Sequence, residues 1–177
     1  MKKKFILIIL IYSQLNYTAS AEDVKVQING AILSQSCNIR SGDLIKNVIF
    51  DDINPQDFTS LGSTTPPKEV SIALINCTGN VNDMTYTFSG INDETNPSLL
   101  KITGKSNTPT EDLATGLAIE ILDMNKKAIS LNDKQNFNQP ITTSSYDFKF
   151  YLRYKSTSST IGAGDASSIL YLDFYYE

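Results

Sequence analysis

Residues 148–155 read Phe-Lys-Phe-Tyr-Leu-Arg-Tyr-Lys, so that Phe148, Phe150, Leu152 and Tyr154 alternate with Lys149, Tyr151, Arg153 and Lys155. Successive side chains of a β-strand point to opposite faces, and a period of two therefore marks a strand with one covered face. The same period recurs outward from this stretch. Val70, Ile72 and Leu74 alternate with smaller residues and lead to Cys77, and Met84, Tyr86 and Phe88 alternate with Thr85, Thr87 and Ser89 until Gly90 stops the run. Leu117, Ile119 and Ile121 share a face, with Glu120 on the other, and a last apolar run extends from Ile169 to Tyr176. Near the start, Val24, Val26, Ile28 and Ile32 alternate with Lys25, Gln27 and Asn29, interrupted by Gly30. Val48 to Phe50 reads as a short strand, and Leu99 to Ile102 is ambiguous. Stretches rich in Gly, Pro, Asn, Asp and Ser separate these runs, at 51–55, 62–67, 79–83, 92–97, 104–112 and 156–168. No segment carries a 3.6-residue period. Seven or eight strands without a βαβ rhythm predict an all-β, antiparallel sandwich, with a barrel as the alternative.

The N-terminus has a separate logic. Lys2, Lys3 and Lys4 precede the apolar run Phe5 to Tyr12, and Ala19-Ser20-Ala21 is a small-x-small cleavage signal. This order predicts a secretory signal peptide over residues 1–21. Eight apolar residues are too few for a bilayer, which needs about 20. Cleavage after Ala21 leaves 12 of the 15 basic residues against all 19 acidic ones, a net charge of −7. Cys37 and Cys77 are the only cysteines. An oxidising compartment favours their bridge, and two free buried thiols are the alternative.

Composition removes much of enzymology. At 41% hydrophobic and 19% charged residues, 177 residues are ordinary material for one domain. With no His, the chain has no Ser-His-Asp or Cys-His nucleophile, no His-ligated metal and no histidine switch. Phosphate-loop and nucleophile-elbow patterns are absent, and nothing in the spacing of Glu69, Glu94, Glu111 and Asp147 pairs two of them for glycoside hydrolysis. Asp51, Asp52, Asn54 and Asp57 lack the glycine and final Glu of a calcium loop and read as a solvated turn. The acidic balance disfavours nucleic acid. No catalytic residue, cofactor or metal is expected. Nine Tyr and eight Phe fit core positions better than a sugar-binding surface.

The two ends carry the functional signal. Counting back from Glu177, Tyr176, Phe174, Leu172 and Leu170 share one strand face, while Ile169, Tyr171 and Tyr175 share the other, so both faces are expected to be covered. The strand over Glu22 to Gly30 either pairs within its own domain or is a detachable arm. A free arm with regularly spaced apolar anchors suits β-augmentation, in which backbone pairing gives affinity and alternate side chains give register.

Taken in order, several pieces resemble the structural pilins of the chaperone–usher (type 1/P fimbrial) family. They are the arm Val24-x-Val26-x-Ile28-x-Gly30, then Cys37-Asn38-Ile39, Val48-x-Phe50, Val70-x-Ile72-x-Leu74-x-x-Cys77 and Phe88-x-Gly90. Ala114-x-Gly116-x-Ala118-Ile119 resembles the family's A-x-G-x-G-I run, and the terminal strand has Gly164 and a penultimate Tyr176. Asp51 and Ala118 stand where the family commonly has glycine. The resemblance implies an immunoglobulin-like sandwich lacking its last strand, over residues 37–177, preceded by a donor arm over 22–36. Val24, Val26, Ile28 and Ile32 would be the arm's plugs and Gly30 its glycine. Gly164, Leu170, Leu172, Phe174 and Tyr176 would line or flank the groove and form the chaperone-recognition strand, and Cys37–Cys77 would be the family's bridge. The implied partners are a periplasmic chaperone, an outer-membrane usher and neighbouring subunits, and the implied location is a fimbria on a bacterial surface. A complete sandwich serving as a secreted adhesin or carbohydrate-binding module is the alternative function.

Overall fold

In a computed structural model of the chain, residues 35–78, 81–105 and 108–176 are described. They belong to one compact unit, Leu33–Glu177. The signal segment and the arm residues Val24, Val26, Ile28, Gly30 and Ile32 lie outside the described residues.

Strands form where the alternation runs longest. Lys68–Thr78 (β2), Met84–Ser89 (β3), Leu117–Leu122 (β5), Ser145–Ser156 (β8) and Tyr171–Tyr176 (β9) are the strands that the period-two pattern predicts. Four shorter ones complete the described set: Ser36–Ile39 (β1), Leu100–Lys101 (β4), Ala128–Ile129 (β6) and Lys134–Phe137 (β7). The larger sheet has the order β1-β2-β8-β5-β4, with β6 also on β5, and the smaller sheet has the order β7-β3-β9. All pairings between these strands are antiparallel. The two separate sheets make the molecule a sandwich and not a barrel.

Register brings like faces together. Val70 lies opposite Phe150 and Ile72 opposite Phe148 between β2 and β8, while Ile121 lies opposite Leu152 between β5 and β8. In the smaller sheet, Tyr86 is opposite Phe174 and Phe88 opposite Leu172. The sheets meet through aromatic side chains. Ring centroids are 4.8 Å apart for Phe88 and Phe150, 4.9 Å for Tyr86 and Phe148, and 5.0 Å for Phe148 and Phe174, within the range where aromatic pairs attract beyond their area burial. The Cys37–Cys77 disulfide is formed and staples β1 to β2.

Glu120 lies on the face of β5 opposite Leu117, Ile119 and Ile121, as its place in the run predicts, and that face is covered too: every residue of β5 is buried, and Glu120 is 3% exposed. Two expectations need correction. Val48 to Phe50 is not a strand, because no neighbouring backbone ladders to it among the described residues. The second correction is that β9 is covered on one face only. Leu170, Leu172, Phe174 and Tyr176 pack against the core, whereas Ile169, Tyr171 and Tyr175 are 60%, 61% and 48% exposed.

Candidate functional site: an open groove

A long groove of about 1320 Å³, apolar along its floor, runs along the larger sheet. Its floor is the inner face of β2, β5 and β8, including Val70, Ile72, Leu117, Ile119, Phe150, Leu152 and Tyr154. Small-molecule sites usually measure about 300–1,000 Å³, so this groove exceeds them and its length suits a segment of polypeptide. One wall is the irregular segment over residues 44–53. Val48, Phe50 and Ile53 turn inward against the core, and the Phe50 ring lies 4.7 Å from that of Tyr154. Leu44, Ile45 and Ile49 turn outward, 67%, 90% and 73% exposed. Among the described residues, no backbone–backbone hydrogen bond reaches residues 46–53; the one side-chain contact given to this stretch's backbone is the Lys68 ammonium, which donates to the Ile49 carbonyl.

The other wall is residues 161–174. Its first half is pinned from behind. Thr115 and Gly162 exchange two backbone bonds of 3.1 Å, Asp165 donates to the Asp112 carbonyl at 2.8 Å, and the Thr103 N–H donates to the Ser167 carbonyl at 3.0 Å. The Tyr154 hydroxyl rises from the floor to donate to the Ala166 carbonyl at 2.9 Å. Burial among these apolar groups pushes the Tyr154 phenol pKa up. The second half is β9, which pairs with β3 on one edge only among the described residues. Among the described residues, neither residues 46–53 nor the second edge of β9 has a ladder partner, so each wall offers an unpaired stretch of backbone beside the apolar floor. A strand inserted between them would satisfy both edges at once.

The residues that the sequence singles out fall on this site unevenly. Gly164, Leu170, Leu172 and Phe174 line the groove together. Tyr176 does not. It packs at the far end of β9, where burial pushes its phenol pKa up and a hydrogen bond from the Cys37 backbone works the other way. Gly164 lies flat against the preceding loop, and a Cβ there would come within 2.5 Å of the Ala114 nitrogen and the Asp112 oxygen. Close backbone approach, not a turn, is what requires glycine at this point.

Asp165 next to it carries no strand pattern and is invisible to periodicity. Its carboxylate accepts from the Ser167 N–H at 2.9 Å and from the Lys105 N–H and Thr108 hydroxyl at 3.1 Å. These bonds, Ser167 first, hold its carboxyl far below the usual range. Asp165 thus ties Lys105 and Thr108 to the groove wall.

The acidic run after Phe50 has another use. Asn54 caps a short 3-10 turn, Pro55–Asp57, by accepting from the Gln56 N–H at 2.9 Å. Among the described residues, no three His, Cys, Asp or Glu side chains converge as a metal site requires.

An antiparallel immunoglobulin-like sandwich with one open, strand-sized groove defines the class of incomplete pilin domains. Comparisons with known proteins carry this to a family. The fimbrial protein family matches residues 26–177. The uncharacterized fimbrial-like protein YcbU of Escherichia coli K12 is 32% identical over 183 residues, covering 100% of both chains. A type-1 fimbrial protein subunit of Serratia marcescens is 30% identical over 90% of this chain and 89% of its own. Among solved structures, a Burkholderia pseudomallei antigen and type I fimbria protein aligns with a TM-score of 0.59 at 26% identity, covering 81% of this chain and 91% of that one. The P pilus rod subunit PapA shares the fold, with a TM-score of 0.62 at 16% identity over 80% of this chain and 99% of its own. The chain belongs to the fimbrial protein family. It is a structural, non-catalytic subunit related to those of chaperone–usher pili, secreted and exposed at the cell surface.

Proposed function

We propose that this subunit is built into its fimbria by donor-strand exchange, accepting one strand in its groove and giving one from its N-terminus. The observation that carries this reading is the groove, with an unladdered wall on each side of an apolar floor. A periplasmic chaperone lends the first strand, recognised along Leu170, Leu172 and Phe174. At the outer-membrane usher, the arm of the next subunit replaces it. In turn, residues 22–36 of this chain enter a neighbour's groove, with Val24, Val26, Ile28 and Ile32 as plugs and Gly30 where space is short. Burying four aliphatic anchors at about 1.5–3 kcal/mol each gives roughly 6–12 kcal/mol before ordering costs. That suffices to stabilise the subunit and to make loss of the arm slow.

Coexpression tests it. The chain produced in a periplasm together with the chaperone of its own gene cluster should purify as a one-to-one complex. Without that chaperone it should be degraded. A stable, soluble monomer that ignores the chaperone would mean that the sandwich is complete, and the binding-module function would take its place.

A further inference from the structure

The smaller sheet carries a second concavity, of about 540 Å³, where β3 begins and β7 ends. It shares no lining residue with the groove. Asn82, Asp83, Thr85, Asn136, Asn138 and Pro140 line it. Its size falls inside the usual range for a small ligand.

A second observation singles out the same place. The Thr85 hydroxyl is buried and has no hydrogen-bond partner, in a residue only 9% exposed. Other buried hydroxyls are satisfied, as where Ser156 donates to the Ser60 carbonyl at 2.8 Å. A buried polar atom left unpaired is costly and calls for a reason. Pairing places Thr85 between Asn136 on β7 and Tyr175 on β9, in one row across the outer face of the sheet. Tyr175 is 48% exposed.

The donor set indicates the ligand. Three amides both donate and accept, and one carboxylate accepts only. Among the described residues no cationic side chain lines the concavity, which disfavours phosphate, sulfate or carboxylate ligands. Amides and a carboxylate are suited to the paired hydroxyls of an uncharged ring. We propose that this concavity binds a neutral saccharide. Asn82, Asp83, Asn136 and Asn138 hold its hydroxyls, and the Thr85 hydroxyl gains its missing partner when Asn136 or Tyr175, its neighbours in the row, shifts to admit the ligand. The subunit then has a contact for glycans along its flank, independent of the groove.

Saturation-transfer NMR on the mature chain in complex with its chaperone tests this, with glucose, galactose, mannose and N-acetylglucosamine as probes and the chaperone alone as the blank. At least one sugar should receive saturation. Asp83→Ala and Asn136→Ala should each weaken that sugar's binding about tenfold, the loss of a good hydrogen bond. Thr85→Val should weaken binding several-fold and leave the melting temperature unchanged or higher, since it removes an unpaired hydroxyl without changing shape. Lys149→Ala, on the larger sheet, should bind as wild type does. Asn136 and Asn138 are exposed, so Asn138→Ala serves if Asp83→Ala fails to fold. The proposal is overturned if none of the four sugars receives saturation, or if transfer survives the Asn136 and Asp83 changes. It is equally overturned if Thr85→Val gains stability with unaltered sugar binding, or if calcium binds through Asp83 while no sugar does.

Discussion

The carboxylate of Glu120 stands on the outer face of β5, where Arg153 and Lys155 of the adjacent β8 each reach one of its oxygens at 2.6 Å. Burial alone would raise its pKa, but the bonds from Lys155 and Arg153 outweigh burial and leave it below the ordinary value of 4.5. A lowered folded-state pKa gives stability that is present above the unfolded value and is lost as pH falls through the folded one. Unfolding midpoints should therefore hold steady from neutrality to about pH 5 and drop below about pH 4.5, with Glu120→Gln flattening that drop. Glu120→Ala should cost about 1–3 kcal/mol, less than breaking a fully buried pair, because Arg153 and Lys155 keep 27% and 28% of their side chains in water. Urea denaturation across pH measures both. No change in Glu120→Ala would show that the triad contributes nothing net.

Among the elements, β8 was the most legible from sequence, because its twelve residues repeat one alternation long enough to exclude other periods. The pattern gave the faces of β2 and β3 as well. It gave no partners, and both its gaps and its misreadings stem from that. Glu120 breaks the apolar pattern of β5, yet its burial depends on two long cations from the neighbouring strand, which alternation within β5 does not contain. Val48 to Phe50 is a β-branched and aromatic run that suits a strand, but among the described residues no partner makes it one. Tyr171 and Tyr175 carry rings that can be buried as readily as exposed, and only the assembled sheet shows which side of β9 meets the core. The groove itself was legible only through family resemblance, since it is built from a missing neighbour. β1 and β7, four residues each, are too short to register at all. For β1 the disulfide supplies what length does not. Its loop spans a sequence separation of 40 residues, for which chain entropy suggests about 4 kcal/mol. Cys37→Ser with Cys77→Ser should lose roughly that amount in guanidinium unfolding of the chaperone-bound subunit. A loss below about 1 kcal/mol would show that β1 holds by its backbone pairing with β2 alone.

At the scale of the whole molecule, the groove and the arm make separable demands. The groove needs a strand and the arm needs a groove, and they lie on opposite sides of Cys37 in sequence. Removing Glu22–Ile32 should therefore leave an acceptor that is no longer a donor. The truncated chain is expected to purify with the chaperone one to one, protected from proteolysis like the full chain. It should release the chaperone when a synthetic peptide of residues 22–36 is added, because that peptide supplies both the backbone ladder and the aliphatic plugs. On its own it should add nothing to a growing fibre, and electron microscopy of the usher-bearing strain should show no extension past the first such subunit. Normal polymerisation of truncated copies with one another would refute the arm as donor. Loss of chaperone binding, with the truncated chain unfolded even beside the peptide, would show instead that residues 22–32 complete their own sandwich. The groove would then be the seat of a strand that never leaves.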